Sequence, residues 1–184
     1  MSQSVITEMT KKLISNSFKK ILSKKSFNKI TVKDIVDDSQ LTRQTFYYHF
    51  QDIYELLQWT YKDELGCYLN DSNNSSLPET MKTILAYIKT NKSMFKNTIQ
   101  VIGRDHFEKI IYPDMHKFSK NVLLSFSDNK ELDNDKLDFI SNMFTLTLIS
   151  MIIKWTDKDM KKDPDECLNM LNATMNLANL SFIQ

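Results

Sequence analysis

Glycine and proline are nearly missing from this 184-residue chain, which holds two of the first and three of the second. Sheet-rich folds need such residues in tight turns, so their scarcity argues against a sandwich or barrel and favours long helices with few turns. With Gly66 and Gly103 alone, no glycine-rich loop can cradle a phosphate. Cysteine is equally scarce. Cys67 and Cys167 are too far apart in sequence for a disulfide framework or a zinc knuckle, and they read as buried thiols of a cytosolic protein. His49, His106 and His116 form no ligand set, so no metal is expected. No nucleophile elbow or triad-like motif accompanies the Ser, Cys and His residues, so neither an enzyme nor a cofactor is expected. Long apolar runs are lacking too. The first 20 residues contain four lysines and no continuous apolar core, which argues against a signal peptide. The most apolar stretch, Phe139 to Trp155, is broken by Ser141, Asn142, Thr145, Thr147, Ser150 and Lys154 and reads as no membrane span. A soluble, cytoplasmic protein is the expectation.

What is present is globular in composition, with 41% hydrophobic and 26% charged residues. The net charge of +1 points to no partner, but its distribution does. Residues 1–50 carry nine Lys and Arg against four Asp and Glu, and the remainder carries fifteen against nineteen. A basic head on an acidic body fits a polyanion at one end only, and the plain alternative is a solvated lysine-rich helix.

Periodicity predicts helices throughout. Between residues 4 and 25, Ile6, Met9, Leu13, Ile14, Phe18, Ile21 and Leu22 recur at steps of three and four. Thr31 followed by Asp34 predicts a capping box for a short helix that turns Val32, Ile35 and Val36 inward and ends near Ser39. Thr42 can cap a third helix from Arg43 to about Phe50, and Gln51-Asp52 a fourth from Ile53 to about Asn70. Residues 70–77, NDSNNSSL, form a linker, and Pro78 suits the first turn of a new helix. Helical spacing covers 79–100, then 101–126 with interruptions at Gly103 and Pro113, and SDNKELDND at 127–135 is a second connection. Two strong helices close the chain, at about 137–155 and 164–182. The organisation is an all-α protein: a head at 1–52, a connecting helix at 53–70 and a helical body at 71–184.

Two short helices separated by a tight turn, within 31–57, are the geometry that lays a second helix into the major groove of DNA. Phe46 and Phe50, four apart, turn to the core with Leu41, which leaves Arg43, Gln44, Tyr47 and Tyr48 outward. Aromatics beside Arg and Gln suit base edges, thymine methyls and phosphates, whereas an ordinary helical hairpin would leave that face merely polar.

The run TxxDI…LTRQTFYYHFQDIYELL resembles the signature of the TetR (tetracycline repressor) family over about residues 5–65. The resemblance implies an all-α fold with a three-helix DNA head, a connecting helix and a variable ligand-binding body. By position it implies that Arg43, Gln44 and Tyr47 face bases and that Thr31, Lys33, Thr42, Tyr48 and His49 contact phosphates. Two positions depart from the pattern. Ser39-Gln40 stands where the family often has Ala-Gly in the turn, and Ile53 stands where a lysine often contacts phosphate. A fainter resemblance, carried by AYIKTNKSMFKNTI and Trp155, is to the subgroup that includes activators of dihydroxyacetone-kinase operons.

The closing helices carry apolar stripes, Leu137, Ile140, Phe144, Leu148, Met151, Trp155 and Leu168, Leu171, Met175, Ala178, Phe182. Such stripes can pack against a two-fold copy, so a homodimer interface through Phe144, Leu148, Met151, Leu171, Met175 and Ala178 is expected, the alternative being stripes that face only their own core. Met81, Met94, Met115, Met143, Met151 and Met160 suit an adaptable pocket or plain core filling. The expected partner is double-stranded operator DNA, with control by a small-molecule effector or, alternatively, by a partner protein.

Overall fold

The computed structural model describes residues 3–70, 77–126 and 133–181. Among them are nine α-helices, one short 3-10 turn and no strand. They are α1 (Gln3–Leu22), the 3-10 turn (Phe27–Lys29), α2 (Val32–Ser39), α3 (Arg43–His49), α4 (Ile53–Asn70), α5 (Leu77–Thr90), α6 (Lys92–Ile102), α7 (Arg104–Phe126), α8 (Asn134–Asp157) and α9 (Pro164–Ser181). The polar runs expected as linkers fall largely outside the described residues. The chain forms two compact units, Met1–Gly66 with Ser93–Ile111, and Cys67–Lys92 with Tyr112–Gln184.

In the first unit, Ile14, Phe18 and Leu22 of α1 are fully buried in one core with Ile35, Phe46, Leu56, Leu57, Phe95 and Phe107. Tyr61 sits among them, its ring edge-on to Phe95 at 5.2 Å and Phe107 at 5.4 Å, and its hydroxyl donates to Thr98 Oγ1 at 2.9 Å. A polar seam ties α1 to α4. Ser15 and Thr60 share a buried hydrogen bond of 3.0 Å, Lys19 pairs with Glu64, and Lys12 lies 3.8 Å from Asp63. The Asn97 amide of α6 donates to the carbonyls of Leu22 and Lys25, satisfying groups that the end of α1 leaves open.

In the second unit, Met81, Leu85 and Ile88 of α5 are buried, as are Leu148, Ile149 and Ile152 of α8. The turn after α8 closes with the Met160 N–H on the Trp155 carbonyl at 2.9 Å, which takes Asp159 and Met160 through left-handed backbone at φ 61° and 50°. Acidic residues of the turn and of the start of α9 reach α5 and the first residue of α6: Asp159 pairs with Lys92 and Asp165 with Lys82, both at 2.8 Å, and Asp163 pairs with Lys89.

Several expectations change. The stretch 79–100 is two helices, because the Asn91 side chain donates to the Tyr87 carbonyl at 2.9 Å and closes α5. Gly103 breaks the next stretch at φ +80°, but Pro113 does not, and α7 runs through it. A mid-helix proline costs about 3 kcal/mol; Phe107, Ile111, Met115 and Phe118 are all buried along α7, and that burial outweighs it. Cys167 is buried as expected, but Cys67 is exposed, since it falls between the buried Gly66 and Leu69 on the outer side of α4. The dimer stripe also splits. Leu148 at 0% and Leu171 at 6% exposure face their own unit, Phe144 and Met151 are half-buried, Ile140 of the stripe is exposed, and the other exposed apolar residues of α8 are Phe139, Met143 and Leu146. The side chains of Met175 and Ala178, and the whole of Phe182, lie outside the described residues. By length and composition α8 also suffices to cross a bilayer, with a mean hydropathy of 1.4, although 39% of that window is buried within the protein.

The head's local order rests on a knot at Thr31. Its hydroxyl accepts from the Asp34 N–H at 3.2 Å, and the Asp34 carboxylate accepts from the Thr31 N–H at 2.8 Å and from Lys25 Nζ at 2.7 Å. The hydrogen bond from Lys25, then those from Thr31, hold the Asp34 carboxyl at about 2. A carboxylate with a lowered folded value stabilises the fold fully above the unfolded value of 3.8, and that contribution is lost as pH falls through about 2. Thermal unfolding of wild type and Asp34→Asn, followed by circular dichroism, should differ at pH 5 and converge near pH 2. A gap that stays constant down to pH 2 would contradict this role.

Gln40 ends α2 at φ 55°, ψ 35°, a left-handed conformation. That conformation costs a non-glycine residue roughly 1–2 kcal/mol, partly offset in glycine by backbone entropy. Gln40→Gly should therefore gain up to about 1 kcal/mol in denaturant titration, and Gln40→Val should lose stability. A destabilised glycine variant would mean that the Gln40 side chain itself holds the turn.

Candidate nucleic-acid interface

The α2–turn–α3 segment is held from both ends. Thr31 caps α2 through its capping box, and the Thr42 hydroxyl caps α3 by accepting from the Thr45 N–H at 3.1 Å. Asp52 caps α4 by accepting from the Glu55 N–H at 2.8 Å, while the Glu55 carboxylate reaches back to the Gln51 N–H at 2.6 Å. Inward, Phe46 is 0% and Phe50 2% exposed, with ring centroids 5.9 Å apart. Phe50 in turn stacks edge-on against Trp59 of α4 at 5.9 Å, and Lys11 of α1 lies over both rings, 5.8 and 5.9 Å from their centroids.

With that face anchored, the other side of α3 is open. Arg43 and Gln44 are exposed, Tyr47 is 57% and Tyr48 75% exposed. The four residues read as outward from sequence therefore share one solvent-facing surface. Large aromatics so exposed lose the benefit of burial unless a partner covers them.

The residues assigned to phosphates are less uniform. Lys33 is exposed and extends from the first turn of α2. The Thr31 hydroxyl donates its single hydrogen to Asp34 Oδ2 at 2.8 Å and has none left for a phosphate. The Thr42 hydroxyl lies 2.9 Å from that of Thr45 and shares its hydrogen bonding there. His49 is half-buried with its ring edge-on to Tyr48 at 4.9 Å. Burial, then the charge of Lys11, lowers its pKa, so near neutral pH it offers a neutral N–H rather than a cation. Ile53, at the start of α4, is half-buried and offers no charge.

The charge excess of the head also divides. Lys20 pairs with Asp38 at 2.5 Å, and Lys12, Lys19 and Lys25 pair with Asp63, Glu64 and Asp34, so these four lysines hold the helices of the head together. Among the described residues, Lys11, Lys24, Lys29, Lys33 and Arg43 make no ion pair within 4.0 Å, and Lys11 is taken up over the Phe50 and Trp59 rings. Of the other four, Lys29 and Lys33 bracket the start of α2 and Arg43 opens α3, the helix that carries the exposed aromatics. Lys29 escaped the sequence reading, although its place two residues before the capping Thr31 was a usable signal.

This face presents cations, amide and hydroxyl groups and aromatic edges. Two hollows occur elsewhere. In the first unit, a cleft of about 530 Å³ is lined by Tyr54, Gln58, Val101, Ile102, His106 and Lys109. In the second, a groove of about 980 Å³ lies between α8 and α9. Both open to solvent. No group of three or more His, Cys, Asp or Glu among the described residues is placed to hold a metal ion.

Residues 19–58 match the family profile described as bacterial regulatory proteins, tetR family, and residues 75–177 match a transcriptional regulator C-terminal region. Among curated proteins, the HTH-type dhaKLM operon transcriptional activator DhaS of Lactococcus lactis is 31% identical over 110 residues, a match spanning 58% of this chain and 57% of that protein. A solved structure of the dihydroxyacetone kinase operon activator DhaS is similar at TM-score 0.72 and 21% identity, covering 91% of this chain and 97% of that one. The regulator FadR of Bacillus subtilis, in complex with stearoyl-CoA, is similar at TM-score 0.57 and 13% identity, over 87% and 96%. At these identities the two solved structures share the fold, whereas the two profiles cover both the head and the body: the chain belongs to the TetR family of bacterial transcription regulators.

Proposed function

We propose that this protein is a sequence-specific DNA-binding transcription regulator that reads a palindromic operator as a homodimer in the cytoplasm. The observation that carries the reading is the exposed face of α3, Arg43, Gln44, Tyr47 and Tyr48, flanked by the uncommitted Lys29 and Lys33. Arg43 and Gln44 supply donors for base edges and Tyr47 packs on them, Lys33, Tyr48 and His49 are assigned to phosphates, and Thr31 and Thr42, whose hydroxyls are engaged at Asp34 and Thr45, cap the helices that present them. The head is assigned to 1–52, the connecting helix to 53–70 and the body to 71–184. One recognition helix covers only a few base pairs, so two heads about 34–36 Å apart are needed to reach successive major grooves.

Control by a small molecule acting on the body is the main reading, and the stearoyl-CoA bound by the FadR relative is one example of effector chemistry to test. Control by a partner protein is favoured by a different observation: both hollows are open rather than closed around a ligand. The 31%-identical relative is an activator, which makes activation the first sign of regulation to examine.

Selection of bound duplexes from a random pool tests the reading directly. An inverted repeat should emerge, and recovery of no preferred sequence would refute it. On the selected site, Arg43→Ala should cost roughly 1–3 kcal/mol and relax the preference at one base pair of each half-site. Lys33→Ala should weaken specific and scrambled duplexes alike. An unchanged ratio of specific to scrambled binding in Arg43→Ala would mean that α3 lies in the groove in another orientation. The logarithm of affinity should also fall linearly with the logarithm of salt, at about −0.9 per phosphate neutralised, and Lys29→Ala or Lys33→Ala should each reduce that slope by about one. A flat salt response would count against DNA as the partner.

A further inference from the structure

The first unit carries a cleft that the recognition face does not use. It holds about 530 Å³ and lies where α4, the end of α6 and the start of α7 meet. Gly103 makes its corner. The Gly103 N–H donates to the Ile99 carbonyl at 3.1 Å, its carbonyl accepts from the Phe107 N–H at 3.1 Å, and its φ of +80° turns the chain between the two helices. A Cβ at this position would meet nothing within 4 Å, so backbone conformation rather than space calls for glycine. The turn sends Ile99 and Phe107 into the core and leaves Val101, Ile102 and Ile110 half-buried along the cleft as an aliphatic wall. The remaining lining is polar and exposed: Tyr54 and Gln58 of α4, His106 and Lys109 of α7. Each of these four side chains can donate a hydrogen bond, and none of the residues lining the cleft is acidic. Among the described residues, Lys109 makes no ion pair within 4.0 Å. Tyr54 also connects the cleft to the head. Its ring stands edge-on to Phe27 at 5.0 Å, and Phe27 opens the 3-10 turn that ends at Lys29.

We infer that this cleft binds a small organic carboxylate with a short aliphatic body, and that its occupancy alters how the 3-10 turn presents Lys29; the second part rests on the DNA-binding reading above. Four donors with no competing carboxylate select an acceptor, and the single free ammonium of Lys109 matches one negative charge. A phosphate monoester carries nearly two charges at neutral pH and would be only half compensated. The aliphatic chain of the ligand covers Val101, Ile102 and Ile110, which removes apolar surface from water on both sides. Because the cleft is open, the charged contact stays screened and affinity falls in roughly the millimolar range. Such a site responds to a compound present at high concentration. A ligand shifts a protein only when it binds two of its arrangements unequally. Tyr54 is the group through which that difference reaches the head, since it lines the cleft and touches Phe27. Phe27 is itself 3% exposed and edge-on to Phe18 at 6.2 Å, so a displaced Tyr54 ring moves packed neighbours rather than solvent.

Titration of the full chain with hexanoate, followed by methyl NMR and without DNA, tests the site. The methyl signals of Val101, Ile102 and Ile110 should shift together and saturate. Hexanamide, which keeps the chain and loses the charge, should bind about fivefold more weakly, and so should hexanoate to Lys109→Met. Gln58→Glu sets a carboxylate in the cleft and should weaken hexanoate at least about tenfold. Both positions are exposed, and far-ultraviolet circular dichroism checks that the variants fold. Equal affinity for hexanamide, tighter binding of hexyl phosphate, or indifference to both substitutions would overturn the site. Coupling is then read on the selected duplex. Saturating hexanoate should change duplex affinity about fivefold, and the duplex should change hexanoate affinity by the same factor. Tyr54→Leu should remove this coupling while binding that depends on Lys109 persists. An unchanged duplex affinity with the cleft filled, or coupling that survives Tyr54→Leu, would overturn the link to the 3-10 turn. A chain that binds hexanoate in the cleft but selects no duplex would refute the regulator reading alone. A chain that selects a duplex while these methyl signals stay still would refute the site alone.

Discussion

A helix of seven residues has no stability of its own, because the first turn fixes several residues for a single hydrogen bond. α3 is such a helix, and it carries all four exposed residues of the proposed recognition face. It exists because Phe46 is wholly buried and Phe50 nearly so against α1 and α4, and because Thr42 caps its start. Burial of two aromatic side chains contributes several kcal/mol, far more than any polar contact along the segment. The positions of Arg43, Gln44, Tyr47 and Tyr48 in space follow from that anchoring. Residues that never approach DNA, such as Trp59 and Lys11 packed around Phe50, thereby contribute to how α3 presents itself.

Charge in the head serves two purposes. Four lysines are matched to carboxylates on neighbouring helices, and each exposed pair of this kind is worth little alone. Their effect is to neutralise local charge, so much of the excess that remains falls at Lys29 and Lys33 around the start of α2 and at Arg43 at the start of α3. Lys24 remains as well, two residues after α1 closes. A count of charges over the first 50 residues overstates the cation available to a phosphate backbone and says nothing of where it sits. The lowered pKa of His49 has the same lesson: in the proposed phosphate-facing set it is a neutral hydrogen-bond donor, not a further cation.

α8 is the element whose composition is hardest to interpret, since it is apolar on more than one side. Its inner face, with Leu137, Leu148, Ile149 and Ile152, belongs to the core of the second unit, and small polar residues on that face, Ser141 and Thr145, return their hydroxyls to carbonyls one turn back. Its outer face keeps Phe139, Ile140 and Met143 in contact with solvent in the isolated chain. A helix with both faces apolar satisfies the length and hydropathy conditions for a membrane span and equally those for a core helix that also meets a partner. The burial of one face inside a folded unit favours the second.

Helix starts and stops were legible from the sequence wherever a side chain acts within one turn of itself. The capping box at Thr31 and Asp34, the cap at Thr42, the start of α4 at Ile53 and the all-helical class all follow from short-range chemistry, and so does the inward pair Phe46 and Phe50. The motif around α3 carried the family as well, because its outward residues are set by the same four-residue spacing. Tertiary structure decided the rest. Whether Pro113 breaks α7 depends on what its neighbours bury, and which lysines are free depends on which carboxylates the fold brings near. Which of the stripes on α8 faces inward depends on competing burial: a periodicity of three and four marks a surface as apolar but does not say what covers it. Leu148 and Phe139 belong to the same helix and are equally hydrophobic in sequence, and only packing sends one to 0% exposure and leaves the other at 65%.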